Sequence, residues 1–290
     1  MVAASLRRLP PFAAVERPGS VSSSRAGGID IAYWRGGRTG SGPAVLFLHG
    51  LGWDNALWWP FVERYLDRFD VICPDTRGHG ASAKPPGPYS IARFAQDMLA
   101  LLDGLGLARV AVVGLSQGGM TAQVMATAAP GRVAALAAVA TSGRMDPAAA
   151  ANMEARIQAS REAGVEAAAR IAAKSIFSDG FLARTPGYLD AFITWRVAMD
   201  APAQEAAMRA GAGYDVLPDL PKLKIPTLVV AGAADRLIPP AASRAIAAAA
   251  PGAQYVEIPE SGHMIAVEQP AALAAVLDPF LEAYRTAQRS

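Results

Sequence analysis

The chain reads as an α/β protein, with a mostly parallel, eight-stranded sheet covered by helices and one helical insertion. Three observations predict this. Strand-like runs recur eight times, and helix-compatible segments separate most of them, which is the pattern of a parallel sheet with crossover helices. The alternation stops between 143 and 218, where the sequence turns alanine-rich and holds no strand-like run. The length of 290 residues, 52% of them hydrophobic, suffices for one large domain with such an insertion.

Taken in order, residues 1–17 hold Arg7-Arg8 and then Pro10, Pro11, Glu16 and Arg17. Their apolar stretch is too short and broken for a signal peptide, so a poorly ordered arm is expected. Strand-like runs near 19–24 and 29–35, separated by Arg25-Ala26-Gly27-Gly28, predict an antiparallel hairpin at the start of the sheet. Further strands are predicted near 45–49, 69–74, 109–114, 134–141, 226–231 and 254–258. Ser90 to Leu105 is an amphipathic helix with Phe94, Met98, Leu101, Leu102 and Leu105 on one face. Within 143–218, Pro186-Gly187, Pro202, Gly211 and Gly213 predict about four helices. Met153, Ile157, Val165 and Ile171 recur there at roughly helical spacing and read mainly as packing residues. The organisation expected is an arm (1–17), a core made of 18–142 and 219–290, and a helical insertion (143–218).

The chemistry starts at Gly114-Leu115-Ser116-Gln117-Gly118, a G-x-S-x-G between a buried strand pattern and a helix that Pro130 stops. In that context the motif is a nucleophile elbow. A sharp turn holds Ser116 in a strained conformation, the flanking glycines remove side chains that would clash, and the following helix points free N–H groups at the serine.

A serine needs a base, and the base an orienting acid. Of three histidines, His263 lies on a loop after the strand-like Tyr255–Ile258 and before a helical segment from Pro270, an edge of the sheet that carries chemistry. His49, at the end of Val45–Leu48, and His79, in Arg77-Gly78-His79-Gly80, read as loop-fixing residues. Two acids follow strands at the same edge. Asp146 precedes Pro147 and reads as a helix N-cap, and Asp235 follows the buried strand Thr227–Gly232.

Five segments appear in order: Phe47-Leu48-His49-Gly50-Leu51-Gly52, Pro74-Asp75-Thr76-Arg77-Gly78-His79-Gly80-Ala81-Ser82, Gly114–Gly119, Gly232-Ala233-Ala234-Asp235 and Ser261-Gly262-His263. Over roughly 28–142 and 220–285 the chain resembles the α/β-hydrolase fold family, most closely its small esterases, enol-lactonases and perhydrolase-like members. The resemblance implies the order serine, acid, histidine, and so a triad of Ser116, Asp235 and His263. It implies an oxyanion hole from the backbone N–H groups of Leu51 and Gln117, and a cap over the site at 143–218.

Ester or lactone cleavage through an acyl-enzyme is therefore expected. Trp53, Trp58 and Trp59, with Phe177, Phe181, Phe192 and Trp195 of the insertion, supply candidates for an apolar pocket; Trp53, Phe192 and Trp195 are placed in it, and others are core. Arg144 and Arg196 read as solvated, although an arginine facing the pocket would suit a carboxylate-bearing substrate. Met264 stands where C–C bond hydrolases of this fold carry a tryptophan nearby, which weakens a C–C hydrolase reading. Serine at 116 argues against haloalkane dehalogenase and epoxide hydrolase chemistry, which need an aspartate there. A triad-bearing small-molecule receptor is the alternative from a different class.

The remaining features bound the partners. The formal net charge is +2 without a basic or acidic run, so a small-molecule substrate is expected and nucleic acid is not. Lone Cys73, within a strand pattern, forms no internal disulfide and reads as a buried thiol. No zinc spacing or phosphate-binding glycine motif occurs, so neither metal nor cofactor is expected. No uninterrupted apolar stretch of membrane-spanning length occurs, and cytoplasmic placement is the default expectation. Assembly into a homo-oligomer stays open.

Overall fold

The computed structural model describes residues 20–288; the arm expected over 1–17 lies outside them. Eight strands form one sheet: β1 (Ser22–Ala26), β2 (Ile29–Gly37), β3 (Ala44–Leu48), β4 (Asp70–Pro74), β5 (Val110–Leu115), β6 (Val133–Val139), β7 (Thr227–Gly232) and β8 (Gln254–Ile258). Their order is β1-β2-β4-β3-β5-β6-β7-β8. β2 runs antiparallel to β1 and β4, and the other pairs are parallel. The hairpin turns on Gly27 and Gly28, both at positive φ (58° and 84°), as a tight two-residue turn between twisted strands demands. Arg25 and Ala26, expected in the connection, belong to β1 and pair with Asp30 and Ile29, because the two glycines alone suffice to close the turn.

The central strands are buried on both faces, and their side chains alternate between two cores. Val45, Phe47, Ala111, Val113 and Leu115 face one core, closed by helix α8 (Pro270–Ala287) and the segment around Trp58–Tyr65. Leu46, Leu48, Val110 and Val112 face the other, closed by α1 (Ile91–Gly104), α2 (Gln117–Ala128) and α7 (Pro240–Ala249). Cys73 is buried in β4, and burial pushes its thiol well above the ordinary range.

Between β6 and β7 run α3 (Pro147–Ile176), α4 (Asp179–Arg184), α5 (Tyr188–Val197) and α6 (Ala201–Arg209). The insertion leaves and rejoins the sheet through one narrow neck. There the backbones of Arg144 and Asp215 form an isolated antiparallel bridge, with Met145 N–H donating to the Tyr214 carbonyl (2.8 Å) and Val216 N–H to the Gly143 carbonyl (2.9 Å). Pro202 starts α6 rather than breaking a helix, because a proline loses no bond in the first turn. The break that the sequence reading missed is Gly164, whose φ of 87° and ψ of 159° kink α3. That kink rotates the buried face, which passes through Ala169, Ala172, Ala173 and Ile176, and it leaves Ile171 61% exposed, outside the expected stripe. Among the described residues no helix is long and apolar enough to cross a membrane.

Candidate active site

Three strand ends and the β3 loop bring the candidate residues together. Ser116 sits between β5 and α2 at φ 56° and ψ −119°, a strained conformation for a residue with a side chain. Two absent side chains permit it. A Cβ at Gly114 would lie 2.3 Å from the Gly118 carbonyl oxygen, and one at Gly118 would lie 2.4 Å from that of Leu48. The turn is braced by Ser116 N–H on the Val139 carbonyl (2.9 Å) and by the Thr141 hydroxyl on the Ser116 carbonyl (2.7 Å). Gln117 opens α2, so its N–H has no intrahelical acceptor. Its side-chain amide donates to the Ala207 carbonyl of α6 at 2.8 Å.

Asp235, on the turn after β7, is buried. One carboxylate oxygen accepts the N–H groups of Leu237 (2.9 Å) and Ile238 (2.8 Å). The other accepts His263 Nδ1–H at 2.8 Å, on the loop after β8. This bond fixes the imidazole tautomer and leaves Nε2 on the far edge of the ring. Asp146 is instead exposed at the N-cap of α3, accepting Ala149 N–H at 2.8 Å.

The sequence reading missed Glu268, whose buried carboxylate holds the His263 loop in place. It accepts Gly262 N–H and Ser178 N–H at 3.0 Å each and Met264 N–H at 3.2 Å, while His263 N–H donates to the Ile176 carbonyl at 2.8 Å. The loop is thus tied to the end of α3 and the start of α4. Glu268 lies five residues beyond His263, and in the sequence nothing marks it off from a solvated helix residue.

His49 and His79 lie in a buried network beneath the β3 loop. Thr76 N–H donates to His49 Nε2 (3.0 Å), so Nδ1 carries the proton and donates to the Gly50 carbonyl (2.8 Å). His79 Nδ1 stands 3.0 Å from the Arg77 carbonyl. Burial lowers both imidazoles below their ordinary range, His79 further because His49 and Arg196 lie near it.

Ser116 and His263 line one cavity of about 340 Å³, together with Leu51 and Gln117. Trp53, Met120, Ile176 and Phe192 add apolar walls, with the Trp53 and Phe192 ring centres 5.8 Å apart. Trp195 does not line it; its indole N–H donates to the Gly52 carbonyl at 3.3 Å. Arg196 lines it instead and is only 9% exposed, against the solvated reading. Arg196 lies four residues from Phe192, on the same face of α5, and both line the cavity. Arg144, in the neck, is exposed as expected. Phe177 and Phe181 pack with Tyr188 in the core, and Trp58 and Trp59 pack there too.

Residues 43–270 match the sequence profile of the α/β hydrolase fold. The chain belongs to the α/β-hydrolase fold family. It is 32% identical to 3-oxoadipate enol-lactonase 2 of Acinetobacter baylyi, over 83% of this chain and 90% of that one. It is 31% identical to a putative carbamate hydrolase RutD of Caulobacter segnis, over 82% and 91%. Among solved structures, the enol-lactonase from Burkholderia xenovorans LB400 superposes with a TM-score of 0.84 at 31% identity, covering 90% of this chain and all (100%) of that one. A thermophilic esterase from Thermogutta terrifontis superposes with the same TM-score of 0.84 at 28% identity, over 92% and 100%.

Proposed function

We propose that this α/β hydrolase is a serine hydrolase that cleaves a carboxylic ester or lactone of a small, largely apolar substrate through an acyl-enzyme. One observation carries the reading: the Asp235–His263 hydrogen bond of 2.8 Å borders the cavity that the strained Ser116 also lines. Relatives named as an enol-lactonase and an esterase support the bond class.

His263 Nε2 takes the hydroxyl proton of Ser116 as its oxygen attacks the substrate carbonyl. The N–H groups of Leu51 and Gln117 receive the oxyanion. The intermediate collapses, the alkoxide leaves with the proton from His263, and Ser116 holds the acyl group. Water then gives a proton to the same histidine, attacks the acyl carbon and releases the acid, and Ser116 recovers its proton. Asp235 stays ionised throughout and holds the imidazolium. The helices of 143–218 act in this reading as a cap that excludes water.

The test is a panel of p-nitrophenyl esters and lactones beside a fluorophosphonate probe. The probe is expected to label Ser116, and Ser116→Ala to lose about three or more orders of magnitude in kcat. Labelling of another serine, or near-normal activity of Ser116→Ala, would overturn the mechanism. One slow turnover with a large gain in thermal stability would point to a receptor instead.

A further inference from the structure

The helical insertion turns two arginines into the Ser116 cavity without giving either a carboxylate. Arg196 of α5 is nine-tenths buried and lines the cavity. Among the described residues no hydrogen bond or ion pair reaches its guanidinium. Arg156 of α3 lines the same wall, and among the described residues its guanidinium meets no carboxylate, only the Met153 thioether at 3.9 Å. Other arginines of the region are committed. Arg161 binds Glu205, Arg209 binds Glu154, Arg170 binds Glu166 and Asp190, and Arg236 binds Asp179. The carboxylate among the lining residues is Asp146, which is exposed and capping α3.

The fold also makes room for the unpaired guanidinium. Gly52, in the loop that follows β3, has φ 71°, and a Cβ there would lie 1.1 Å from Arg196 Nη1. The missing side chain is the slot in which the guanidinium lies, against the loop that also contains Leu51. Burial and the charge of Arg156 push Arg196 down to about 10, which is still protonated at neutral pH. Two cations facing one cavity, with no acceptor beyond one weak thioether contact, form an unfavourable arrangement that a bound anion would relieve.

We infer that Arg156 and Arg196 form an anion subsite, so that the substrate bears a carboxylate as well as the scissile ester or lactone. The substrate statement rests on the serine-hydrolase reading; the subsite itself does not. The carboxylate oxygens accept N–H bonds from the Arg196 fork while the carbonyl lies at Ser116, so the two sites together select chain length.

The experiment compares monomethyl esters of dicarboxylic acids, from succinate to suberate, with methyl esters of monocarboxylic acids of equal length. For the best-fitting length the wild type is expected to prefer the anionic half-ester by about 10- to 100-fold in kcat/KM, the range of one or two charge-assisted hydrogen bonds. Arg196→Gln and Arg156→Gln should each cut that ratio by about tenfold or more, with Arg196→Lys intermediate because it keeps charge and loses the fork. Arg144→Gln, outside the cavity, should leave the ratio unchanged. A second arm measures adipate binding to Ser116→Ala by calorimetry, which needs no turnover. Hydrolysis of neutral esters as well as anionic ones, with a ratio unmoved in both glutamine variants, would overturn the subsite and leave the serine-hydrolase reading standing. Adipate binding that Arg196→Gln abolishes, together with no ester hydrolysis and no labelling of Ser116, would overturn that reading and support the subsite.

Discussion

At the scale of single residues, the two aspartates near the site separate orientation from capping. Asp235 is bound to the imidazole, and its amide replacement would present a donor where an acceptor is needed. Asp235→Asn is expected to fold normally and lose about three to four orders of magnitude in kcat, since the histidine is then held in the wrong tautomer. Asp146→Asn should change stability by less than about 0.5 kcal/mol, because asparagine caps helices as well as aspartate. Kinetics and thermal melts of the two purified variants check both; the reversed pattern would move the acid to the loop after β6. Both positions were legible because chemistry at strand ends leaves marks in the sequence, such as paired glycines around Ser116 and a buried run before Asp235. The choice between Trp195 and Arg196 was not. Helix α5 carries apolar residues around its circumference, so nothing in its pattern says which side faces the cavity.

At the scale of elements, the loop after β8 is held by a side chain rather than by regular structure. Glu268 gathers three backbone N–H groups from two segments, and Gly262 admits its carboxylate only because a Cβ there would stand 2.7 Å from Oε1. Glu268→Ala would leave those donors buried and unpaired, with an expected loss on the order of 3 kcal/mol. It should also slow labelling of Ser116 by a fluorophosphonate, since His263 loses its fixed position. Stability loss with an unchanged labelling rate would make Glu268 purely structural. Strands such as β3, β5 and β7 were readable because short apolar runs rich in valine and leucine stand between turn residues, whereas β1, Ser-Ser-Ser-Arg-Ala, holds no such run. The kink at Gly164 was not, because an alanine-rich helix has no sharp apolar stripe whose displacement would betray a bend.

At the scale of the whole molecule, acid should loosen the fold through buried imidazoles. His49 and His79 are held below their ordinary value of 6.5 mainly by burial. The unfolded chain therefore binds more protons than the folded one just below that pH. Their contribution is complete above 6.5 and is lost as pH falls toward the folded values. Each adds up to about 1.4 kcal/mol per pH unit within that window. Urea unfolding at pH 7.5 and 5.5 measures it, and His79→Gln should flatten the slope; an equal slope in the variant would remove His79 from the account. Most of this architecture was visible in the alternation of strand and helix patterns, whereas the neck at 143–145 and 214–216 was not, because it is made by backbone bonds with no residue preference. That neck has a consequence for how the molecule can be rebuilt. Chain leaves and returns at adjacent points, while β6 and β7 pair directly beside it, so the sheet's register does not depend on what is threaded between. Loop-closure entropy grows only as the logarithm of length. The stretch from 146 to 213 is thus an exchangeable cassette: grafts of other lengths can be swapped in at the clamp, provided that they again supply a backstop for the loop that carries His263.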